Sequence, residues 1–243
     1  MTFSICIPTL NEAKYIGGLL SDLVNQTYRD FEVIVADCHS ADETGKVVHS
    51  FSNQLKIKFL VSPQRGVSTQ RNFAAANAKF DHLIFFDADV RVRSDFLEKL
   101  VINLQKTHPD FASSWLNPNS PRLIDKIMFW LFNFLILTPA SLFQPVTIGA
   151  FIYVSRTAFN SINGFSPNIS FSEDADLAKR LHHAKFHFSF FRHPVFFFST
   201  RRLDREGRLP FFFKILTSMF YYLLFGPITD SSWFRKKITH EYG

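Results

Sequence analysis

A chain of 243 residues with 47% hydrophobic content can bury a full core. That excludes a disordered polypeptide and suits one α/β domain with an appendage better than two independent domains. The charge of +6 admits phosphates, nucleic acid or anionic lipid as partners, and two cysteines, Cys6 and Cys38, exclude a disulfide framework and point to reduced thiols in a cytosolic compartment.

Met1-Thr2-Phe3 runs into a strand without a basic leader, so no signal peptide is expected. Phe3 to Pro8 is predicted as that strand, closed by Pro8. Asn11 is placed to cap the next helix, where Ile16, Leu19, Leu20, Leu23 and Val24 recur at helical spacing. Phe31 to Ala36 is a second strand ending at Asp37, and Ser40 to Thr44 reads as a loop starting another helix. Ile57 to Val61 is a third strand, and Gly66-Val67-Ser68 opens a helix through Ala78. In the stretch His82 to Val90, Leu83-Ile84-Phe85-Phe86 reads as a strand buried on both faces, with Asp87 and Asp89 where it runs out.

This alternation argues for a doubly wound, mostly parallel sheet, whose ligands bind outside the carboxyl ends of the strands. An Asp-x-Asp there can hold a hard divalent cation, and the cation a diphosphate, although the same pattern is common in plain loops. Thr9-Leu10-Asn11-Glu12 replaces any Gly-x-Gly-x-x-Gly, and no Walker loop is present. Phosphates would then be held by metal and basic side chains rather than by a glycine nest.

Ser94 is expected to cap a helix with a buried stripe of Phe96, Leu97, Leu100, Val101 and Leu104. Pro121 to Leu142 reads as a hydrophobic helix, packed or lying at a membrane interface rather than spanning. A second half-domain begins at Thr147 to Val154, followed by a helix from Ser155 and a turn at Asn163-Gly164-Phe165. Ser172 is the expected N-cap of a helix with Glu173 and Asp174 in its first turn, where the dipole alone is reason enough for acid. The chemical alternative is a carboxylate that takes a proton from an acceptor. His193 is either a half-buried residue or a third metal ligand beside Asp89. Arg201, Arg202, Arg205 and Arg208 form an anion site or a solvated helix start, and Arg235-Lys236-Lys237 follow. Leu209 to Phe225 reads as a monotopic aromatic helix, or one that docks on the catalytic domain or on a second copy.

Six segments in register resemble the family 2 inverting glycosyltransferases with the glycosyltransferase A fold. They are Ile7 to Glu12, Val35 to Thr44, Arg71-Asn72, Phe86 to Asp89, Gly164-Phe165 and Ser172 to Leu177, within residues 3 to 200. The resemblance implies a nucleotide-sugar donor bound by Pro8, Thr9, Asn11, Glu12, Asp37, Arg71, Asp87, Ala88, Asp89 and Glu173; Arg201 and Arg202 are expected to meet the donor diphosphate or a lipid-linked acceptor phosphate. It implies a divalent metal, Mn or Mg, on Asp89, and Asp174 as general base in one inverting displacement; His193 stays the candidate further metal ligand on its imidazole chemistry, apart from the resemblance. Many relatives carry Asp where this chain has Cys38, and a second Gly where it has Asn163. No Gln-x-x-Arg-Trp is present; Arg201 to Arg208 occupies roughly that place, which argues against a processive synthase.

The expected organisation is a catalytic domain over 1–200, with a nucleotide-binding half to 90 and an acceptor-binding half from 91. A basic, aromatic C-terminal segment over 201–243 associates with membrane or another interface. The expected protein adds one sugar to a sugar or lipid-linked acceptor at the inner face of the membrane, from the cytoplasmic side. It does not use nucleic acid, and a second copy is a candidate partner. A nucleotidyltransferase and a non-catalytic basic membrane-binding module are the alternatives.

Overall fold

A computed structural model of the chain describes residues 1–169 and 172–225, with side chains to 217. Phe171 and the Arg235-Lys236-Lys237 run lie outside the described residues.

The first half follows the expected alternation: β1 (Phe3–Thr9), α1 (Ala13–Val24), β2 (Phe31–Asp37), α2 (Thr44–His49), β3 (Ile57–Val61), α3 (Val67–Ala76) and β4 (His82–Phe86). Then come β5 (Arg91–Val92), α4 (Phe96–Thr107) and β6 (Phe111–Pro118). A continuous helix, Leu123–Phe143, is built from α5 (Leu123–Leu131), a π-helical segment (Phe132–Leu137) and α6 (Thr138–Phe143). It is followed by β7 (Phe151–Ser155), α7 (Arg156–Ser161), α8 (Glu173–His183), β8 (Phe188–Phe198), α9 (Arg201–Glu206) and α10 (Arg208–Phe225).

All eight strands share one sheet, ordered β3-β2-β1-β4-β7-β6-β8-β5. The ladders among β1 to β4 are parallel, as expected. Beyond β4 the sheet is mixed: β7 is antiparallel to both β4 and β6, β8 is parallel to β6, and β5 is antiparallel to β8. The ends of β1, β2, β4, β6 and β8 and the starts of β5 and β7 therefore meet on one rim.

Alternate residues of the central strands feed two cores. Ile5, Ile7, Val33, Val35, Ile84 and Phe86 pack with α1 and α4, whereas Cys6, Ile34, Ala36, Leu83 and Phe85 pack with α3, α7 and α8. Burial on both faces is why the β4 sequence is a solid apolar run, each large side chain contributing about 1.5–3 kcal/mol.

Three caps differ from expectation. Asn11 sits at φ 55°, so its side chain turns away from the helix and accepts from the Ala41 amide at 2.8 Å. The α1 amides are satisfied from across the chain instead: Glu12 N donates to Thr44 Oγ1 at 2.9 Å and Ala13 N to Asp42 Oδ2 at 3.0 Å. Asp95, not Ser94, stands at the N-cap of α4, and Ser172 at φ 63° makes no side-chain cap. Ser155 caps α7 as expected, accepting from Ala158 N.

The long apolar helix buries Asp125, Phe129, Asn133 and Leu137 against the domain. A stripe repeating every four residues would drift around an α-helix of 3.6 residues per turn, and the wider π winding offsets that drift. Asn133 faces inward there, donating to Leu116 O at 2.7 Å and accepting from Leu116 N at 3.2 Å. Buried Asp125 accepts from Arg208 Nε at 2.6 Å and Ser120 Oγ at 2.6 Å, tying the base of α10 to α5.

The Asn163-Gly164 turn has both residues at positive φ, 58° and 69°. Asn is among the few side chains that tolerate that region, so position 163 does not need glycine. Gly164 is a stricter requirement, because a Cβ there would lie 2.6 Å from Asn72 Oδ1 and 2.8 Å from the Phe159 ring. Gly164→Ala is expected to destabilise the fold by about 2–3 kcal/mol, read as a lower urea midpoint at unchanged slope.

Candidate active site

The rim gathers polar groups from seven segments. At its β1–β2 end, Thr9 Oγ1 donates to Asp37 Oδ1 at 2.8 Å, and Asp37 also accepts from the Ser40 amide at 2.9 Å and from Ser40 Oγ at 2.5 Å. Gln70, which the sequence reading passed over, donates to both Thr9 O (2.7 Å) and Ala36 O (2.8 Å), holding the two strand ends at fixed spacing. Cys38 is buried beside Asp37; its thiol donates to Gln64 O at 3.6 Å and burial raises its pKa. Pro8 is buried inside β1 opposite Ala36, and Ala88 is buried in the core. These two shape the wall, and the inward Ala88 leaves Asp87 and Asp89 at the rim.

The centre of the rim is a carboxylate–guanidinium cluster. Arg201, the first residue of α9, donates from Nη1 and Nη2 to the two Glu12 oxygens at 3.1 Å each, and its Nε lies 3.1 Å from Asp89 Oδ2. Its guanidinium stacks over the Tyr15 ring at 4.8 Å. Burial raises the pKa of Glu12 and of Asp89, and the neighbouring Asp87 adds to both shifts. Arg201 opposes them, joined at Asp89 by Ser199 and Arg202. Pairing with Arg201 thus offsets part of the cost of burying these two carboxylates.

Arg71 from α3 is 1% exposed. Its Nη2 reaches Asp87 Oδ1 at 2.7 Å and Gly149 O at 2.9 Å, and its Nη1 reaches Glu173 Oε1 at 2.8 Å. Burial works against its charge, but Asp87, Glu173 and Asp174 outweigh that and raise its pKa. Asp174 lies next in line: Oδ2 accepts from Gly149 N at 2.7 Å, Oδ1 from Ala175 N at 2.8 Å, and its own carbonyl accepts from Thr147 Oγ1 at 2.7 Å. A Cβ on Gly149 would sit 3.3 Å from Arg71 Nη2 and 3.5 Å from Asp174 Oδ2, so the close approach uses a glycine. Burial and the adjacent Glu173 charge push the Asp174 carboxyl up to about 7, against the pull of those amides and of Arg71. A base poised near neutrality, with a free lone pair on each anchored oxygen, can accept a proton.

The structure thus gathers Thr9, Glu12, Asp37, Arg71, Asp87, Asp89, Glu173, Asp174, Arg201 and Arg202 along one rim. Asn11 lies on the adjoining loop with its side chain engaged by Ala41. It does not bring His193 there. That residue is exposed midway along β8, where three extra residues bulge between the Phe191–Ser114 and Phe196–Leu116 pairs, and its carbonyl accepts from Asn103 of α4. Asp89 instead meets Ser199 and Arg201, just past the end of β8. The aromatic runs around His193 carry no register information, so the sequence could not place it.

The donor set fits a cation shared with substrate. Five linked carboxylates (Glu12, Asp87, Asp89, Glu173, Asp174) face three guanidiniums (Arg71, Arg201, Arg202), an excess of negative charge where an anionic ligand would have to sit. Among the described residues no three His, Cys, Asp or Glu side chains converge into a complete cage. Hard divalent ions that take one or two carboxylates and complete their shell with phosphate oxygens and water suit such a pair as Asp87 and Asp89.

The model of glycosyl transferase family 2 matches residues 4–160. Over 133 residues the chain is 32% identical to the poly(ribitol-phosphate) beta-N-acetylglucosaminyltransferase TarS of Staphylococcus aureus, covering 53% of this chain and 23% of that protein. It is 29% identical over 112 residues to a cholesterol galactosyltransferase of Borreliella burgdorferi, covering 46% of this chain and 31% of that one. The chain therefore spans under a third of these two relatives. Among solved structures, TarS 1-349 in complex with UDP superposes with TM-score 0.67 at 23% identity, over 82% of this chain and 60% of that one. The mannosyltransferase PcManGT of Pyrobaculum calidifontis with GDP-Man and Mn2+ gives 0.66 at 21% identity, over 81% and 56%. With a family match covering most of its length and the fold of solved glycosyltransferases, the chain belongs to glycosyl transferase family 2.

Proposed function

We propose that the chain transfers one sugar from a nucleotide-diphosphate sugar to an acceptor hydroxyl, with inversion, on a lipid-linked or cell-envelope acceptor at the cytoplasmic face of the membrane. The observation that carries this is Asp174, anchored by two backbone amides and held near neutral pKa beside the Arg71–Asp87 pair. The UDP, UDP-GlcNAc and GDP-Man held by solved structures of similar fold support the donor class.

In this reading Thr9, Asp37 and Cys38 line the nucleoside end, and Arg201 and Arg202 meet the diphosphate. Asp87 and Asp89 would hold a divalent ion, which supplies charge neutralisation at the departing diphosphate. Asp174 takes the proton of the acceptor hydroxyl as its oxygen bonds to the anomeric carbon. The carbon–phosphate-oxygen bond breaks in the same step, its electron pair leaving with the nucleoside diphosphate. No covalent enzyme intermediate is needed, so no nucleophilic side chain is required. A donor panel of UDP-, GDP- and dTDP-sugars with Mn, Mg or chelator tests this by nucleotide release. One donor should turn over with metal, and Asp89→Ala should reduce that rate by at least about a hundredfold; turnover of none, with no nucleotide binding by calorimetry, refutes the assignment.

Because the base must be ionised, transfer rate is expected to rise with pH through about 7 and then level off. Asp174→Asn should lose about two to four orders of magnitude in kcat and keep donor binding, since general-base catalysis contributes that much. A flat profile between pH 5.5 and 8.5 would remove Asp174 from the role.

The membrane reading rests on exposed apolar side chains that no described part of the chain covers. Leu123–Phe143 is long and apolar enough to cross a bilayer, yet only 17% of its apolar window is buried. Ile124, Trp130 and Leu135 on this helix, and Leu209 and Phe213 on α10, are more than half exposed. Asp125, Phe129 and Asn133 pack on the domain, which supports a reading in which the helix lies along the membrane surface with its outer stripe toward lipid rather than spanning it. Ile124→Asp with Phe213→Asp should abolish flotation with anionic vesicles and leave donor hydrolysis intact. Unchanged flotation would overturn this face as the contact.

A further inference from the structure

Beside the rim, Asn117 and Pro118 of β6, Phe197 of β8 and Lys126, Ile127 and Trp130 of α5 enclose an open cleft of about 370 Å³. That is within the range of small-molecule sites. We propose that this cleft takes the phosphate-proximal end of a lipid-linked acceptor, an apolar chain bearing one phosphate, with Lys126 reading the phosphate. The inference rests on the glycosyltransferase reading above and deepens it by naming a subsite for its acceptor.

Three observations carry it. The first is wall chemistry: the lining is mostly apolar and includes two aromatic rings, with a single cation, Lys126. Among the described residues the Lys126 ammonium has no hydrogen bond or ion pair, whereas Arg122 and Arg208 on the same platform are paired with Asp204 and Asp125. An unpaired ammonium at the edge of an apolar cleft complements an anionic headgroup on an apolar tail.

Continuity is the second. Ile127 and Trp130 line the cleft and are also 45% and 53% exposed, beside Ile124 and Phe134 on the outer stripe. A chain leaving the cleft runs onto that stripe rather than into water, as a membrane-held lipid would. The third is position. Phe197 pairs with Arg91, two residues past Asp89, and Ser199 hydrogen-bonds Asp89. The cleft therefore opens at the strand ends that carry the diphosphate-facing carboxylates, on the β6–β8 side. A headgroup there would extend along the rim toward Asp174. A protein partner would need a far larger contact than one cleft of this size offers.

The test is binding of farnesyl phosphate to the full chain by calorimetry, below its micelle concentration, with farnesol and inorganic phosphate as separate probes. Farnesyl phosphate should bind about tenfold or more tightly than either part. Lys126→Ala should remove the advantage over farnesol, and Ile127→Gln should weaken both farnesyl ligands; both residues are exposed, so both variants should fold and keep metal-dependent donor hydrolysis. No binding by the wild type, or binding unchanged in both variants, overturns the proposal. So does equal competition by anionic phospholipid vesicles, which would make the cleft part of a general lipid contact. Donor hydrolysis retained while farnesyl phosphate fails sinks the cleft alone, whereas failure of every donor sinks the transferase reading itself.

Discussion

The arrangement of the site depends on one buried cation. Arg71 brings its guanidinium, 1% exposed, between the end of β4, the start of β7 and the start of α8. Those segments are far apart in sequence; the β4–β7 ladder and the Gly149–Asp174 hydrogen bond bring them near one another, and Arg71 ties Asp87, Gly149 and Glu173 together through one side chain. Burying a guanidinium is costly unless each charge around it is matched, and here two carboxylates and a carbonyl supply the match. Among the described residues its Nε has no hydrogen-bond partner, so the balance is not complete. Asn72, the next residue, exchanges two hydrogen bonds with the Phe165 backbone at 2.7 and 2.9 Å, and Phe165 in turn packs under the Arg71 guanidinium at 5.2 Å. One turn of α3 thereby holds the Asp87 and Glu173 carboxylates and the Phe165 backbone together.

The opposite side of the rim is held by Arg201 in the same manner but nearer solvent, and Arg201 begins the helical segment that continues through Leu203 and Arg208 into α10. Leu203 is fully buried, and Arg208 reaches the buried Asp125 on α5. The two apolar helices and the Glu12–Asp89–Arg201 end of the rim are therefore tied together by direct contacts. Displacement of α10 would reach Glu12 and Asp89 through α9, and the end of β8 through the Phe211–Phe198 ring contact.

Much of this was legible in the sequence because parallel strands buried on both faces are solid apolar runs, and β1 to β4 fall where those runs do. The acids at Asp37, Asp87 and Asp89 follow from the runs' ends. β6 was not foreseen: Phe111-Ala112-Ser113-Ser114 lacks such a run, because its serines are buried and Ser113 hydrogen-bonds the Phe151 carbonyl. Antiparallel insertion of β7 could not be read either, since a both-faces-buried strand looks alike in either direction. Caps failed for a related reason. Asn11, Ser94 and Ser172 have the right chemistry in the right place, but capping across the chain by Asp42 and Thr44 is a tertiary event that local spacing does not encode. Gln70 and Gly149 carry no local signal at all, and a polar residue one turn from a strand end was the only available hint.

The borrowed cap on α1 has an electrostatic consequence for any anionic ligand. A helix that starts at a strand's carboxyl end normally offers its amides and its positive dipole end to phosphate. Here Asp42 already neutralises that dipole and occupies the Ala13 amide, and Thr44 and Ser40 take the Glu12 and Asn11 amides. An incoming phosphate would find a carboxylate where such folds usually provide a welcome. Backbone dipoles are permanent, whereas the charge balance around guanidiniums and exchangeable cations is not. In the proposed reading the hold on phosphate therefore passes from the backbone to side chains and cations, which salt can screen.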